Sequence, residues 1–389
     1  MPELSPHAAV PDPDRVSLAE VARLFLKLGV TAFGGPASHV AMMENEFVRR
    51  RRWLSHERFL DLFGAANILP GPSSSELAVY IGFERAGWLG LVVAGVCFVL
   101  PAALIVAAIA WAYVRFGSLP HVAGVLYGVK HVVIAVIVDA LRALAPMAIK
   151  SAPLGALALI AGVASALGAP PLAVLFGAGA LSVVVRRAGR NTGGASAFAL
   201  PAVAGVTTVA SVVAPVSLFT LFLTFLKIGA TVFGSGYVLL AFLRRDLVEH
   251  LHWLTESQLL DAVAVGQVTP GPVFTTATFI GYLVGGGWGA FVATVAIFLP
   301  GFLLVAMTRP LVARIRRSPV AGSFLDGVNV AALALMAVVA VQLAHTALVD
   351  VTTVLVGVTS ALLLVRFKVN TTWLVLGGAL VGAIVGARG

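Results

Sequence analysis

The amino-acid sequence predicts an all-α polytopic membrane protein: two homologous repeats of inverted topology, helices broken at glycine and proline, and about ten transmembrane spans. Three observations carry that reading. Of the 389 residues, 59% are hydrophobic and 11% charged, with mean hydropathy +1.00, whereas soluble domains carry about 25% charged residues. FLKLGVTAFG at Phe25 to Gly34 returns as FLKIGATVFG at Phe225 to Gly234, with seven of ten positions identical. The echo then holds register to within about one residue. Trp53-Leu54 answers Trp253-Leu254, Asp61 answers Asp261, Pro70-Gly71-Pro72 answers Pro270-Gly271-Pro272, Gly87-Trp88 answers Gly287-Trp288, Phe98 answers Phe298, and Gly128-Val129 answers Gly327-Val328. A doubled apolar chain with interrupted hydrophobic segments is the pattern of membrane proteins built from repeats.

In chain order, residues 1–19 form a polar, proline-rich tail with no apolar stretch, so no cleavable signal peptide is expected and the first insertion signal is a mature helix. The first repeat occupies residues 20–187. Its apolar runs Trp88 to Tyr113, Val122 to Leu144, Leu154 to Leu167 and Leu172 to Val185 approach the ~20 residues needed to cross the hydrocarbon layer. Residues 188–216 hold a Gly/Arg/Ser-rich linker, Ala188 to Ser196, and a short apolar stretch, Leu200 to Val216. The second repeat, residues 217–389, carries the runs Trp288 to Met307, Val328 to Ala344, Val351 to Val365 and Trp373 to Val385. The single cysteine, Cys97, lies in an apolar run and reads as core filling; no intrachain disulfide can form.

The net charge of +9 does not point to nucleic acid, because the basic residues sit in short clusters between apolar runs, where the positive-inside rule accounts for them. In the first repeat they cluster at Arg49 to Arg52, at Arg142 and Lys150, and at Arg186, Arg187 and Arg190. In the second they cluster in different loops, at Arg309, Arg314, Arg316 and Arg317 and at Arg366 with Lys368. Basic loops of one copy match neutral loops of the other, as two copies inserted in opposite orientations would require. Arg244-Arg245 is the exception, partly offset by Asp246 and Glu249. Inversion demands an odd number of crossings per repeat. The fifth is either the interrupted segment Leu24 to Met43 with its partner Leu223 to Leu243, or the stretch Leu200 to Val216.

The chemistry is expected where helices break. The breaks are Gly34-Gly35-Pro36 and Leu69-Pro70-Gly71-Pro72 in the first repeat, and Gly234-Ser235-Gly236 and Thr269-Pro270-Gly271-Pro272 in the second. Proline cannot continue the backbone ladder and glycine permits the turn. Small polar residues flank them: Ser38 and His39, Asn67, Ser73-Ser74-Ser75, Tyr237, Gln267, Thr275 and Thr276. Unpaired N–H groups and a partial positive charge at a helix start, with hydroxyls beside them, suit an anion. Unwound backbone at membrane depth is tolerated only where protein or a water-filled cavity covers it, so the four breaks are expected to converge. Lys27 and Lys227, seven residues before a glycine break, and Lys130, near the middle of its run, supply formal charge. Lys27 and Lys227 read alternatively as interfacial snorkels, and Lys130 as one half of a structural pair.

Glu76 and His39 are the candidates for proton coupling. Asp61 and Asp261 follow the N-cap candidates Ser55 and Thr255 and are expected to be solvated or cap-pairing. Asp139 reads as an i,i+3 partner of Arg142. No metal-ligand spacing, phosphate-binding loop or nucleophile elbow appears, so neither an enzyme nor a cofactor is expected.

The motifs FLKLGVTAFGGP, MMENEFVRRRRWLS, NILPGPSSSELAVYIGF with ERAGWLG, FGSGYVLLAFLRRDLV, WLTESQLLDAVAVGQVTPGPVFTTATFIGYLVGG and FLPGFLLV, in that order, resemble the chromate ion transporter family in its long two-domain form. The resemblance covers roughly residues 20–386. It implies a multi-pass protein of the bacterial inner membrane that exports chromate, with sulfate as a related anion, acting as one chain or as a homodimer in the lipid bilayer. Two positions depart from the family pattern: Glu76 stands where many members have glutamine, and Gly234-Ser235-Gly236 where a run of glycines is common.

Overall fold

The computed structural model describes residues 16–33, 35–117, 119–190, 217–233, 238–308, 318–348, 350–369 and 371–386. Gly34, Gly234 to Tyr237, most of the linker and the cluster Arg309 to Arg317 lie outside them. Among the described residues all regular structure is helical. Helix α1 (Leu18–Thr31) starts where the Ser17 hydroxyl accepts the Glu20 N–H, a cap that satisfies one otherwise orphaned donor. After the first break come α2 (Gly35–Glu44) and a π-helical turn, Asn45–Arg50. Helix α3 (His56–Ala66), capped by Ser55, leads to the second break, and α4 (Ser73–Phe116) leaves it. Helices α5 (Pro120–Ala148), α6 (Ala152–Ala166) and α7 (Pro171–Arg190) complete the first repeat.

The second repeat restates this order. Helix α8 (Leu218–Thr231), capped by Ser217, precedes α9 (Leu239–Leu243) and a second π-helical turn, Arg244–His250. Helix α10 (Glu256–Val268) opens with a capping box between Thr255 and Gln258. A 3-10 turn, Val273–Thr275, then enters α11 (Thr276–Thr308). Last come α12 (Pro319–Ala347), α13 (Val351–Phe367) and α14 (Thr371–Gly386). Among the described residues four helical stretches are long and apolar enough to cross a membrane: Ser73–Phe116, Gly124–Ala148, Val273–Thr308 and Pro319–Ala347. The other apolar helices are shorter.

Each repeat contains a third break that the sequence reading did not single out. Inside α4, Ala86 and Gly87 leave the helical region, with Gly87 at φ 64 and ψ −149; inside α11, Gly285 and Gly286 do the same, with Gly286 at φ 61 and ψ −153. Only glycine visits that conformation cheaply. The chain folds back sharply at each point. A Cβ on Gly82 would lie 2.3 Å from the Gly90 carbonyl oxygen, and one on Gly281 would lie 2.3 Å from that of Gly289. The two limbs therefore touch through bare backbone, and the span that follows begins at the turn.

This geometry corrects the register of the duplication. The turns at Gly87 and Gly286, and the prolines Pro101 and Pro300, differ by 199 positions rather than 200. Gly29 meets the Phe98 carbonyl and Gly229 meets the Ile297 carbonyl, so Phe98 is matched by Ile297 and not by Phe298. One residue drops out just after the second break, where the first repeat starts an α-helix at Ser73 and the second winds the tighter 3-10 turn.

The repeats embrace reciprocally. Helix α5 packs on α13 and α14 while its counterpart α12 packs on α6 and α7. Glycines bring backbones together there, Gly128 against Gly378 and Gly327 against the Ala178 carbonyl. Lipid gives no hydrophobic drive for helix association, so such close packing is what holds membrane helices together. Helix α11 lies along α4: Gly301 neighbours Glu76, Thr308 bonds Tyr80, and Phe302 meets Gly95. Residues 76–80 and 301–308 thus run in parallel, whereas the limb after Gly87 has turned back on residues 73–85.

Candidate functional site

The second break of each repeat is hydrogen-bonded to the first break of the other. The Gly71 N–H donates to the Val232 carbonyl at 2.7 Å, and the Gly271 N–H donates to the Ala32 carbonyl at 2.9 Å. Gly71 and Gly271 sit at φ 135 and φ 90, positions that glycine occupies without strain. Carbonyls freed where α1 and α8 end are satisfied by amides freed where the prolines interrupt the chain. Around this lacing stand the proline-bearing middles of α4 and α11. A Cβ on Gly271 would lie 2.5 Å from that of Ala102, and one on Gly301 would lie 3.3 Å from Glu76 Oε1.

The two crossings share a backbone but not a chemistry. In the first repeat His39, 1% exposed, donates from Nε2 to the Ala32 carbonyl at 3.0 Å. A carbonyl can only accept, so Nδ1 is left to accept from the Ser74 hydroxyl at 3.3 Å. The Ala32 carbonyl thereby ties three of the breaks together. Ser73, Ser74, Ser75 and Glu76 are all buried at the start of α4, and Ser75 Oγ and both Glu76 carboxyl oxygens have no hydrogen-bond partner among the described residues.

In the second repeat Leu239 occupies the place of His39, and Thr275 and Thr276 spend their hydroxyls on the Pro272 and Val273 carbonyls at 2.8 Å each. A small cavity lined by Leu239, Leu240, Leu243, Val263, Gln267, Val273 and Thr276 lies there, with room for about one water molecule. Gln267 Nε2 lacks a partner among the described residues. Asn67, its counterpart, is exposed; Ser38, Gly35 and Pro70 are half-buried, and Pro72 and Pro272 are buried beside their glycines. Gly34, Gly234, Ser235 and Gly236 fall outside the described residues.

The lysines are placed differently from one another, and each has an acidic neighbour. Lys227 pairs with Asp246 at 2.6 Å. Lys27 holds the matching position beside Glu46, a carboxyl that burial would push up but that Arg51, with Arg50 and Lys27, holds below its ordinary value. Lys130 on α5 reaches across to α10 of the other repeat, 3.3 Å from Asp261 and 2.5 Å from Ser257 Oγ. Asp261 also accepts from Tyr113 at 2.9 Å and is 2% exposed. The expectation that Asp261 is solvated or cap-pairing is therefore corrected, although Asp61 is exposed. What sequence reasoning missed was Tyr113, whose position one helix away gave no linear signal.

Arg244 and Arg245, the exceptions in the charge pattern, also find local partners. Arg244 pairs with Glu249 and, at 2.7 Å, with Glu256. Arg245 donates to the Gly168 and Ala169 carbonyls, both at 3.0 Å. Asp139 pairs with Arg142 at 2.9 Å as their spacing predicts. Among the described residues no cluster of three or more His, Cys, Asp or Glu side chains could hold a metal ion.

Comparison with known proteins adds a family. The family model described as chromate transporter matches residues 19–183 and again residues 219–383. A chromate transport protein of Cupriavidus metallidurans is 34% identical over 378 residues, covering 95% of this chain and 93% of the relative. A probable chromate transport protein of Synechococcus elongatus is 34% identical over 351 residues, 88% of each. A chromate transport protein of Pseudomonas aeruginosa is 31% identical over 395 residues, 97% and 94% respectively. No solved structure matches the chain.

Proposed function

The chain belongs to the chromate transporter family, and from that premise we propose that it exports chromate across the bacterial inner membrane by alternating access. The observation that carries the proposal is the reciprocal lacing of helix breaks, Gly71 to Val232 and Gly271 to Ala32. Each of the two crossings sets a helix start of one repeat against the other repeat, which supports a site where N–H groups and hydroxyls hold a tetrahedral dianion. Ser73, Ser74, Thr275, Thr276 and the first-turn N–H groups that begin at Ser73 and Val273 are the proposed ligands, the two threonines by exchanging their carbonyl bonds for the anion. Lys27, Lys227 and Lys130, each beside a carboxylate, lower the anion's desolvation cost through the field rather than by direct contact. Inverted topology and about ten spans are part of the same reading. The inversion is supported by the charge pattern and by the limbs after Gly87 and Gly286, which lie side by side in opposite directions.

Direction follows from charge. At about 2.3 kcal/mol per charge per 100 mV, an inside-negative potential favours outward movement of a dianion by roughly 4.6 kcal/mol per 100 mV. Sulfate, of the same charge and shape, is the expected competitor. The test is uptake of labelled chromate into inverted membrane vesicles at set potentials, comparing the wild type with Ser74→Ala. Potential-driven accumulation, reduced about tenfold by loss of one ~1.4 kcal/mol contact and competed by sulfate, is expected. Equal uptake by both proteins would remove Ser74 from the site, and no uptake would refute chromate as substrate. The second reading, an importer or proton-coupled exchanger of sulfate or another inorganic anion, is favoured by the buried Glu76 carboxyl.

A further inference from the structure

Glu76 is an acidic group at the crossing that an anion site alone does not explain. Its carboxyl is 1% exposed and neither oxygen has a hydrogen-bond partner among the described residues. Two glycines make room for it: a Cβ on Gly71 would lie 2.2 Å from Oε1, and one on Gly301 would lie 3.3 Å away. Gly71, and Gly301 of α11, face its carboxyl, Tyr80 lies one turn along its own helix with its hydroxyl on Thr308, and His39 of α2 bonds the neighbouring Ser74. None of these carries a permanent charge. An ionised carboxylate there would have only the partial positive charge of the α4 start to oppose its burial, which leaves room for a bound proton.

We propose that Glu76 binds a proton that travels with the oxyanion, so that each cycle moves one net negative charge instead of two. The inference rests on the reading that the anion sits at the helix breaks. A carboxylate in the first turn of α4 and a dianion beside it repel each other, and protonation removes that repulsion. By linkage the proton and the anion raise each other's affinity by the same factor, so the doubly loaded carrier is the form that crosses. The O–H bond forms with a proton taken from water on the loading side and breaks to water on the release side; the dianion and one proton sum to a single negative charge. Tyr80 Oη, on the same helix as Glu76, lies 3.3 Å from Thr308 Oγ1, which is half-buried at the end of α11. This coupling makes the proton a passenger of the anion and not its counter-traveller.

The test measures chromate accumulation at equilibrium by the purified full-length protein in lipid vesicles, in alkaline buffer where free chromate is unprotonated, with potential set by a potassium gradient and valinomycin. With one net charge moved, accumulation changes tenfold per about 59 mV; with two it changes a hundredfold. The wild type is expected to show the tenfold slope and, at zero potential, a tenfold response to one unit of pH gradient. Glu76→Gln is expected to lose the pH response and steepen to the hundredfold slope, and Glu76→Asp to retain the wild-type pattern. A hundredfold slope without pH response in the wild type overturns the coupling while leaving the transport reading intact. Absence of accumulation of both chromate and sulfate at every potential overturns both.

Discussion

Removing Lys130 should damage the protein more than removing its partner. Lys130 Nζ lies 3.3 Å from Asp261 Oδ1, with the two side chains 20% and 2% exposed. At an effective dielectric of about 20 the gross attraction is ~5 kcal/mol, most of it offset by desolvation. Lys130→Met strands a buried carboxylate that keeps only the Tyr113 hydroxyl, at a cost of about 3 kcal/mol, the low end for breaking a buried pair. Asp261→Asn leaves an ammonium group that still has Ser257 and some water, at a cost of ~1–2 kcal/mol. The double variant removes both charges, so its loss should fall short of the sum by about 1.5–3 kcal/mol. Equilibrium unfolding in mixed micelles, followed by tryptophan fluorescence, gives the four free energies. Additivity within ~0.5 kcal/mol would refute the claim that this pair couples the two repeats.

Two glycine pairs separate backbone strain from crowding. A Cβ on Gly87 or Gly286 meets nothing within 4 Å, so Gly87→Ala and Gly286→Ala should each cost only the conformational penalty of about 1–3 kcal/mol, while Gly287→Ala, equally open and without a positive φ, should be tolerated. The same unfolding measurement checks all three. A Cβ on Gly29 or Gly229 would lie 2.6 Å from the Phe98 carbonyl oxygen or 2.2 Å from that of Ile297. Either alanine must therefore push α1 off α4, or α8 off α11, and should cost at least ~1–3 kcal/mol, read as a lower yield of monodisperse protein.

Much of this architecture was legible because membrane helices advertise themselves by length and because duplication repeats the clues. The capped starts at Ser55 and Thr255, the breaks at Gly71 and Gly271, and the spans beginning near Trp88 and Trp288 all follow from local chemistry. The fold-back at Gly87 and Gly286 was less visible. Its signal is the eight-residue spacing Gly82 to Gly90 and Gly281 to Gly289, which matters only once two limbs are antiparallel. The one-residue slip was hidden because the Gly-Trp and Phe identities lined up at a spacing of 200, whereas backbone contacts obey 199. Partner choice was hidden as well: Lys130 could be read as a mid-span cation, but Asp261 and Tyr113 reach it only through tertiary packing. The polarity difference between His39 with Ser74 and their apolar counterparts was in the sequence, yet its meaning depends on the shared Ala32 carbonyl.

The account places the transported anion at the inter-repeat crossing. Its most direct test is the accessibility of a cysteine placed at Ser74 in a Cys97→Ala background. Small charged thiol reagents would be applied from either face of oriented membranes, with and without chromate. Because Ser74 is 1% exposed, modification reports opening of the crossing. Labelling from both faces that saturating chromate suppresses is the predicted result. Labelling that saturating chromate leaves unchanged, in a protein that still moves chromate, would contradict the site.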